Sequence, residues 1–395
     1  MKFIEGGLKN VSGFKFSAIK CGIRYENRLD YSLITSDNPC NASGVFTTNR
    51  VFAAPVKLCR ERINGKIKAI LINATNANAC TGEDGYNNAF KLTSDIALRL
   101  NTDSASVLMA STGIIGRQLP VEKMSASHGK LIENLSAENG SLLANAIMTT
   151  DTYPKETCIS FTTSKGLHHI AGIAKGSGMI APDMATMLAF IITDAPVSKS
   201  DLDLIFRSAI KKSLNSITID GDMSTNDTAI ILSPVSEKYL AEDDLKKFSD
   251  ALDMVLLKLA ELLVKDAEGA TKFVKIIVKN AANDDDAKKI AKSVSQSLLV
   301  KTAFFGNDPN WGRIACAAGY SGAEISENRL SIYFSDMKIL DNGLPLDYNK
   351  DELIKIISAK EFSITVDPGL GTGEAMMMTC DISFDYVKIN AEYST

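Results

Sequence analysis

An α/β fold is predicted by three observations made on the 395-residue chain. Short apolar runs of strand length alternate with longer segments whose apolar residues recur at helical spacing. The polar, glycine- and proline-bearing breaks between them are short, and no internal repeat or low-complexity linker interrupts the alternation.

The elements follow in order. KAILIN at Lys68 to Asn73 is strand-like, and Gly82 to Leu100 then carries helical spacing. SVLMAS, ending at Ser111 just before Thr112, is a second apolar strand. From Lys175 to Ala195 the residues Gly176, Gly178 and Pro182 form a bent approach to the apolar run Met187 to Ile192, which suits a sheet interior. Ser198 is a serine cap for a helix reaching Leu214, and Leu245 to Val264 spaces its apolar residues as one long amphipathic helix. A strand at Phe273 to Lys279, a helix at Asp285 to Leu299, a glycine-punctuated segment at Gly312 to Gly322 and a strand at Leu330 to Phe334 continue the pattern.

Composition narrows the function. With 45% apolar residues, a chain this long buries on the order of three quarters of its unfolded surface, enough for one large domain or two intimate ones. The 43 basic and 47 acidic residues nearly cancel, and no Lys/Arg cluster is interleaved with aromatics, which argues against a nucleic-acid surface. A small-molecule partner is expected. The opening MKFIEGGLKNVSGFKF has no apolar core of a secretory signal, and no apolar run is long enough for a membrane span, so a cytoplasmic protein is expected. Cys21, Cys40, Cys59, Cys80, Cys158, Cys316 and Cys380 are odd in number and never spaced as CxxC, so reduced thiols are expected rather than a disulfide framework or a zinc knuckle.

The Ala185-Thr186 junction is the candidate for chemistry. A threonine hydroxyl is a poor nucleophile without a base, and only His128, His168 and His169 occur. If the chain breaks before Thr186, the new α-amine, with a pKa near about 7.7, sits on the same residue as the hydroxyl and can take its proton. A bland alternative stands beside this: a Gly/Pro loop that merely enters a core strand.

GMIAPDMATML resembles the processing site of the glutamate N-acetyltransferase / ornithine acetyltransferase family of arginine biosynthesis, and the resemblance extends along nearly the whole chain. It includes NANACTG at Asn76 to Gly82, STGIIG at Ser111 to Gly116, TTDTYPK at Thr149 to Lys155 and DGDMSTNDT at Asp220 to Thr228. DAEGATKF at Asp266 to Phe273, DPNWGRIACAAGYSG at Asp308 to Gly322 and CDISFDYVKINAEYST at Cys380 to Thr395 complete it.

The resemblance implies a layered αββα sandwich, of the type shared with N-terminal-nucleophile aminopeptidases. It implies cleavage between Ala185 and Thr186 into chains 1–185 and 186–395 that stay in one integrated fold, assembled as α2β2. Thr186 becomes the nucleophile, and Thr112 with Gly113 forms the oxyanion hole. A hydroxyl and an unobstructed N–H at a strand end suit that role, each such donor being worth roughly 3 to 4 kcal/mol. The substrate-contacting positions fall on Thr152, Lys175, Thr186, Glu268, Asn390 and Thr395. The implied substrates are N2-acetylornithine, glutamate and ornithine, with acetyl-CoA as an additional donor only in bifunctional members.

No cofactor and no metal are expected. Asp284, Asp285 and Asp286 read as solvent-facing helix-start charges, and Gly369, Gly371 and Gly373 as a turn between strands rather than a phosphate cradle. The chain departs from its relatives at Ala74-Thr75, where Ser-Gly is common, and at Met378-Thr379, where Trp-Gly is common. Two other functions remain open: a hydrolase of the same architecture, in which water resolves the acyl-enzyme, and an uncut binding protein.

Overall fold

The first sheet is built from β1 (Lys2–Phe3), β2 (Phe14–Ile19), β3 (Tyr31–Phe46), β4 (Lys66–Asn73), β5 (Val107–Ser111), β6 (Lys155–Thr163), β7 (Gly166–Lys175), β8 (Leu188–Thr193) and β9 (Thr228–Pro234). These assignments come from a computed structural model that describes residues 1–181 and 187–392. The strand order is β1-β6-β7-β8-β9-β3-β4-β5, with β2 added on β3.

Strand β3 decides the architecture. Its first half, Tyr31 to Thr35, pairs with β2 and β4, whereas its second half, Cys40 to Phe46, pairs with β9, and the register on β4 shifts between Thr35 and Cys40. A bulge of this kind bends a strand, and the sheet folds back on itself as two facing leaves. Residue alternation follows with period two. On the inner faces, Phe16, Ile34, Ile70, Ile72 and Leu108 of one leaf meet Ile173, Leu188, Phe190, Ile192 and Ile230 of the other. Truncating a side chain such as Phe190 in this layer costs about 3–5 kcal/mol.

The outer faces carry helices. Leu33, Leu71, Val107 and Met109 pack on Ala89, Leu92 and Ile96 of the helix Gly82–Arg99. On the other side Phe161, Ile170, Ala189, Ile191 and Ile231 pack on Phe206 of the helix Lys199–Lys212 and on Phe248, Leu252, Val255 and Leu259 of the helix Glu242–Lys265. The layers are therefore α, β, β, α, as the family resemblance implied. Helix Glu242–Lys265 opens with three acidic residues and ends with Lys265, in keeping with its dipole.

A second sheet of β10 (Phe273–Ala281), β11 (Ser331–Phe334), β12 (Met337–Asp341), β13 (Leu344–Pro345), β14 (Glu361–Asp367) and β15 (Gly373–Cys380) runs in the order β13-β12-β11-β14-β10-β15. Ala287, Ile290, Ala291 and Val294 of the helix Asp284–Gln296 cover it. The strand β15 ties this body to the first, because Met378 and Cys380 lie in the first body's core and the Met378 carbonyl accepts from the Thr218 amide at 3.0 Å.

Two expectations are corrected. The helix expected over 285–299 ends at Gln296, since Ser297 adopts extended φ and ψ and caps a separate helix, Leu298–Phe305. Asp286 is buried rather than solvent-facing, with Lys289 at 2.7 Å. Ser198 caps its helix as expected, accepting from the Asp201 amide at 3.2 Å.

Candidate active site

The site starts where two strands of one leaf end side by side. Strands β4 and β5 run parallel to Asn73 and Ser111, and the Ser111 hydroxyl donates to the Asn73 side-chain oxygen at 2.5 Å. Beyond that pair the chain turns sharply. The Thr112 amide donates to the Asn73 carbonyl at 3.0 Å, which leaves the Thr112 side chain and the Gly113 backbone on the wall of a cleft. Gly113 has φ +134°, and a Cβ there would lie 2.1 Å from the Thr75 carbonyl carbon, so the position admits only glycine. Its N–H has no acceptor among the described residues. Thr75, one of the departures from relatives, holds φ +76°, with its buried hydroxyl unpartnered among the described residues. A β-branched residue is strained in that region.

Lys175, the last residue of β7, reaches the same wall. It is 3% exposed, and its Nζ donates to the Thr112 hydroxyl oxygen at 3.2 Å, which leaves the hydroxyl hydrogen free for another acceptor. Burial lowers the Lys175 pKa, and the nearby Asp151 carboxylate works against that shift. Asp151 in turn organises the floor. Burial would raise its carboxyl, but Lys175 and Lys155 hold it down at about 2. Its oxygens accept from the Gly176 amide at 2.7 Å and the Thr149 amide at 2.9 Å, and it shares Lys155 with Asp266, at 2.6 and 2.5 Å. This fully buried triad fixes Thr149, Thr150, Gly176 and Ser177 relative to the end of the helix Glu242–Lys265.

Beyond that helix end, the Glu268 amide donates to the Ser177 carbonyl at 2.8 Å, and the Glu268 carboxylate lies directly over Gly178, 2.4 Å from where a Cβ would stand. The terminal helix Phe384–Glu392 brings in the last contact. The Ser383 hydroxyl donates to the Gly269 carbonyl at 2.6 Å, and Tyr386 Oη donates to Asp220 at 3.3 Å. So anchored, the helix lets Asn390 Nδ2 donate to Glu268 Oε2 at 3.0 Å.

The polar run before β9 completes the lining beside Thr112. Ser224, Thr225 and Asn226 supply it, and the Asn226 amide group donates to the carbonyls of Ala77 and Ser111 at 2.6 and 2.8 Å. Asp227 beside it is fully buried, accepts from the Met187 amide at 3.0 Å, and leaves Oδ2 without a partner among the described residues. Burial pushes its carboxyl well up, against the Met187 hydrogen bond.

Of the residues named from the sequence, Thr112, Gly113, Lys175, Glu268 and Asn390 line one cleft. Thr152 is not among its lining residues: its amide donates to Asp266 at 3.0 Å, and its hydroxyl is also bonded to Asp266. Ala185, Thr186 and Thr395 lie outside the described residues. Sequence reasoning missed Asp151, Lys155, Asp266, Ser177, Asn226 and Asp227, although DGDMSTND and TTDTYPK held four of the six. His128 is buried between Tyr31 and Asp95, and His169 pairs with Asp194; no histidine lines the cleft. Among the described residues no group of His, Cys, Asp and Glu is placed to hold a metal ion.

Comparison with known proteins places the chain among relatives of full length. Residues 15–395 match the model of the ArgJ family. The arginine biosynthesis bifunctional protein ArgJ of Geobacter sulfurreducens is 47% identical over 98% of this chain and 100% of its own. The protein of the same description from Chlorobaculum tepidum is 43% identical over 96% and 95%. A solved structure of the Bacillus halodurans arginine biosynthesis bifunctional protein argJ is 35% identical, covering 51% of this chain and 96% of that one, with a TM-score of 0.48.

Proposed function

The chain belongs to the ArgJ family, and from that premise we propose that it is an acetyltransferase of arginine biosynthesis that moves the acetyl group of N2-acetylornithine to glutamate through an acetyl-threonine on Thr186. The chain cuts itself between Ala185 and Thr186, and the new α-amine accepts the Thr186 hydroxyl proton as the oxygen attacks the acetyl carbonyl. Thr112 and the free N–H of Gly113 stabilise the oxyanion, ornithine leaves with the proton, and the amine of glutamate then attacks the acyl-enzyme, breaking the Thr186 ester, releasing N-acetylglutamate and returning its proton through the α-amine to the Thr186 oxygen. Lys175, Glu268 and Asn390, together with Thr152 and Thr395, hold the charged ends of the two amino acids. The reaction needs neither metal nor cofactor. Acetyl-CoA serves as a second donor, as the family resemblance implies for bifunctional members, and the cut chains work in the cytoplasm as an α2β2 assembly.

One observation carries this reading: residues from four distant stretches of the chain, 112–113, 175, 268 and 390, line a single cleft. That cleft sits at the end of β7, whose Lys175 pairs with Leu188, two residues beyond Thr186.

The test is an acetyl-exchange assay with ornithine, glutamate and acetyl-CoA varied separately, beside the intact mass of the protein. Wild type is expected as two polypeptides, the second beginning Thr-Met-Leu-Ala, and Thr186→Ala as one inactive chain. Normal cutting in Thr186→Ala refutes the assignment, and glutamate-independent release of acetate would identify a hydrolase instead.

A further inference from the structure

The buried triad of Asp151, Lys155 and Asp266 holds one negative charge more than it balances. Lys155 is a single ammonium between two carboxylates, 2.6 Å from Asp151 and 2.5 Å from Asp266, and all three side chains are at 2% exposure or less. The Thr149 and Gly176 amides bond to Asp151, and the amide and hydroxyl of Thr152 bond to Asp266. Neutral donors lessen the cost of a buried charge without cancelling it.

The fold sets a balancing cation beside the triad. Lys155 pairs across the β6–β7 ladder with Ala174, and the amide that donates to Asp151 at 2.7 Å belongs to Gly176, so the triad grips the backbone on both sides of Lys175. Asp151 is the largest support for the charge of Lys175; Lys155 opposes that charge, and Glu268 and Asp227 add less to it. Burial pushes the Asp227 carboxyl up, which weakens it further as an anion. An ammonium has three donors. One of Lys175's goes to the Thr112 hydroxyl oxygen at 3.2 Å, and the other two have no acceptor among the described residues. A hydroxyl whose oxygen accepts from a cation becomes a stronger donor through its own hydrogen.

We propose that Asp151 and Asp266 are positioning residues of the oxyanion hole: with Lys155 they keep an ammonium at Lys175 against the Thr112 hydroxyl, which strengthens that hydroxyl as a donor to the oxyanion. This rests on the reading of the cleft as the acyl-transfer site, and it gives Lys175 a part in the chemical step besides holding substrate.

The pH profile of acetyl exchange in the whole protein tests it. Activity needs the Thr186 α-amine neutral and Lys175 charged, so kcat is expected to rise with pH through the first and fall through the second. Asp266→Asn keeps the shape and an acceptor but removes the excess anion, so Lys175 loses its proton at lower pH. The alkaline limb of kcat is expected to move down by about one pH unit or more, with the acid limb in place and KM little changed. Lys155→Gln/Asp266→Asn restores one unbalanced carboxylate with fewer hydrogen bonds, and its alkaline limb is expected to return towards wild type. An unmoved limb in folded Asp266→Asn, a change confined to KM, or a double variant displaced further than the single one overturns the proposal.

A second readout needs no turnover. Trace acetic anhydride acylates only the neutral amine, and peptide mass spectrometry follows Lys175 from about pH 7 to about pH 11; its labelling midpoint is expected to fall in Asp266→Asn. Wild type without acetyl exchange fails the acyl-transfer reading and the proposal with it. Wild type that exchanges normally, with a midpoint that does not fall in the variant, fails this proposal alone.

Discussion

The two walls of the cleft are made by different means. Thr112, Gly113 and Lys175 stand at the ends of β5 and β7, inside the sheet, where backbone pairing and a neighbouring backbone atom at 2.1 Å leave no freedom of placement. Asn390 is exposed on a terminal helix without a buried residue, held by bonds from Ser383, Tyr386 and its own side chain. In the proposed reaction, the groups that meet the developing charge within tenths of an ångström are those set by sheet register. The group proposed only to orient a flexible amino acid is supplied by docking. The walls should therefore fail differently when altered.

Gly113→Ala is expected to have the largest effect. The new Cβ would collide with the Thr75 and Asn76 backbone, costing more than about 3 kcal/mol of stability with loss of transfer activity. A thermal melt beside the exchange assay checks it, and an unshifted melt would show that the corner yields more easily than its geometry says. Thr112→Val keeps the shape but removes the hydroxyl that accepts from Lys175, so kcat should fall by about 10²–10³ with KM little changed. A fall confined to KM would move Thr112 from the oxyanion to substrate binding.

On the docked wall, Asn390→Ala should cost only about three- to tenfold, mainly in KM for the amino-acid substrates, with no change in the melt. A loss as deep as that of Thr112→Val would erase the distinction between the walls. The smallest effect has the opposite sign. Thr75→Gly relieves a β-branched residue at φ +76° and a buried hydroxyl unpartnered among the described residues, offset by the entropy that glycine adds to the unfolded chain. A net gain of about 1 kcal/mol is expected in chemical denaturation.

The sequence made the α/β class and most elements legible, because period-two and helical spacing are local signals. The break at Ser297 was not legible, since apolar spacing continues through Leu298 and Leu299 and only the serine cap marks the new helix. Within the site, Thr112, Gly113, Lys175, Glu268 and Asn390 were named through the family resemblance, whereas Asp151, Asp266 and Asp227 were not. Asp266 and Asp227 act on partners far away in sequence, as when Asp266 meets Lys155, so no spacing rule reports them. Thr152 shows the reverse limit: its motif drew attention, yet its hydrogen bonds go to Asp266 rather than to the cleft.

Strands β7 and β8 pair from Lys175↔Leu188 to Ile170↔Thr193, and β9 joins β8 to β3. A cut at 185–186 would sever none of these ladders. Such a protein would run as two bands on a denaturing gel and as one peak on a native column. Separating the two polypeptides would require unfolding the sandwich, so neither piece made alone should be expected to remain soluble.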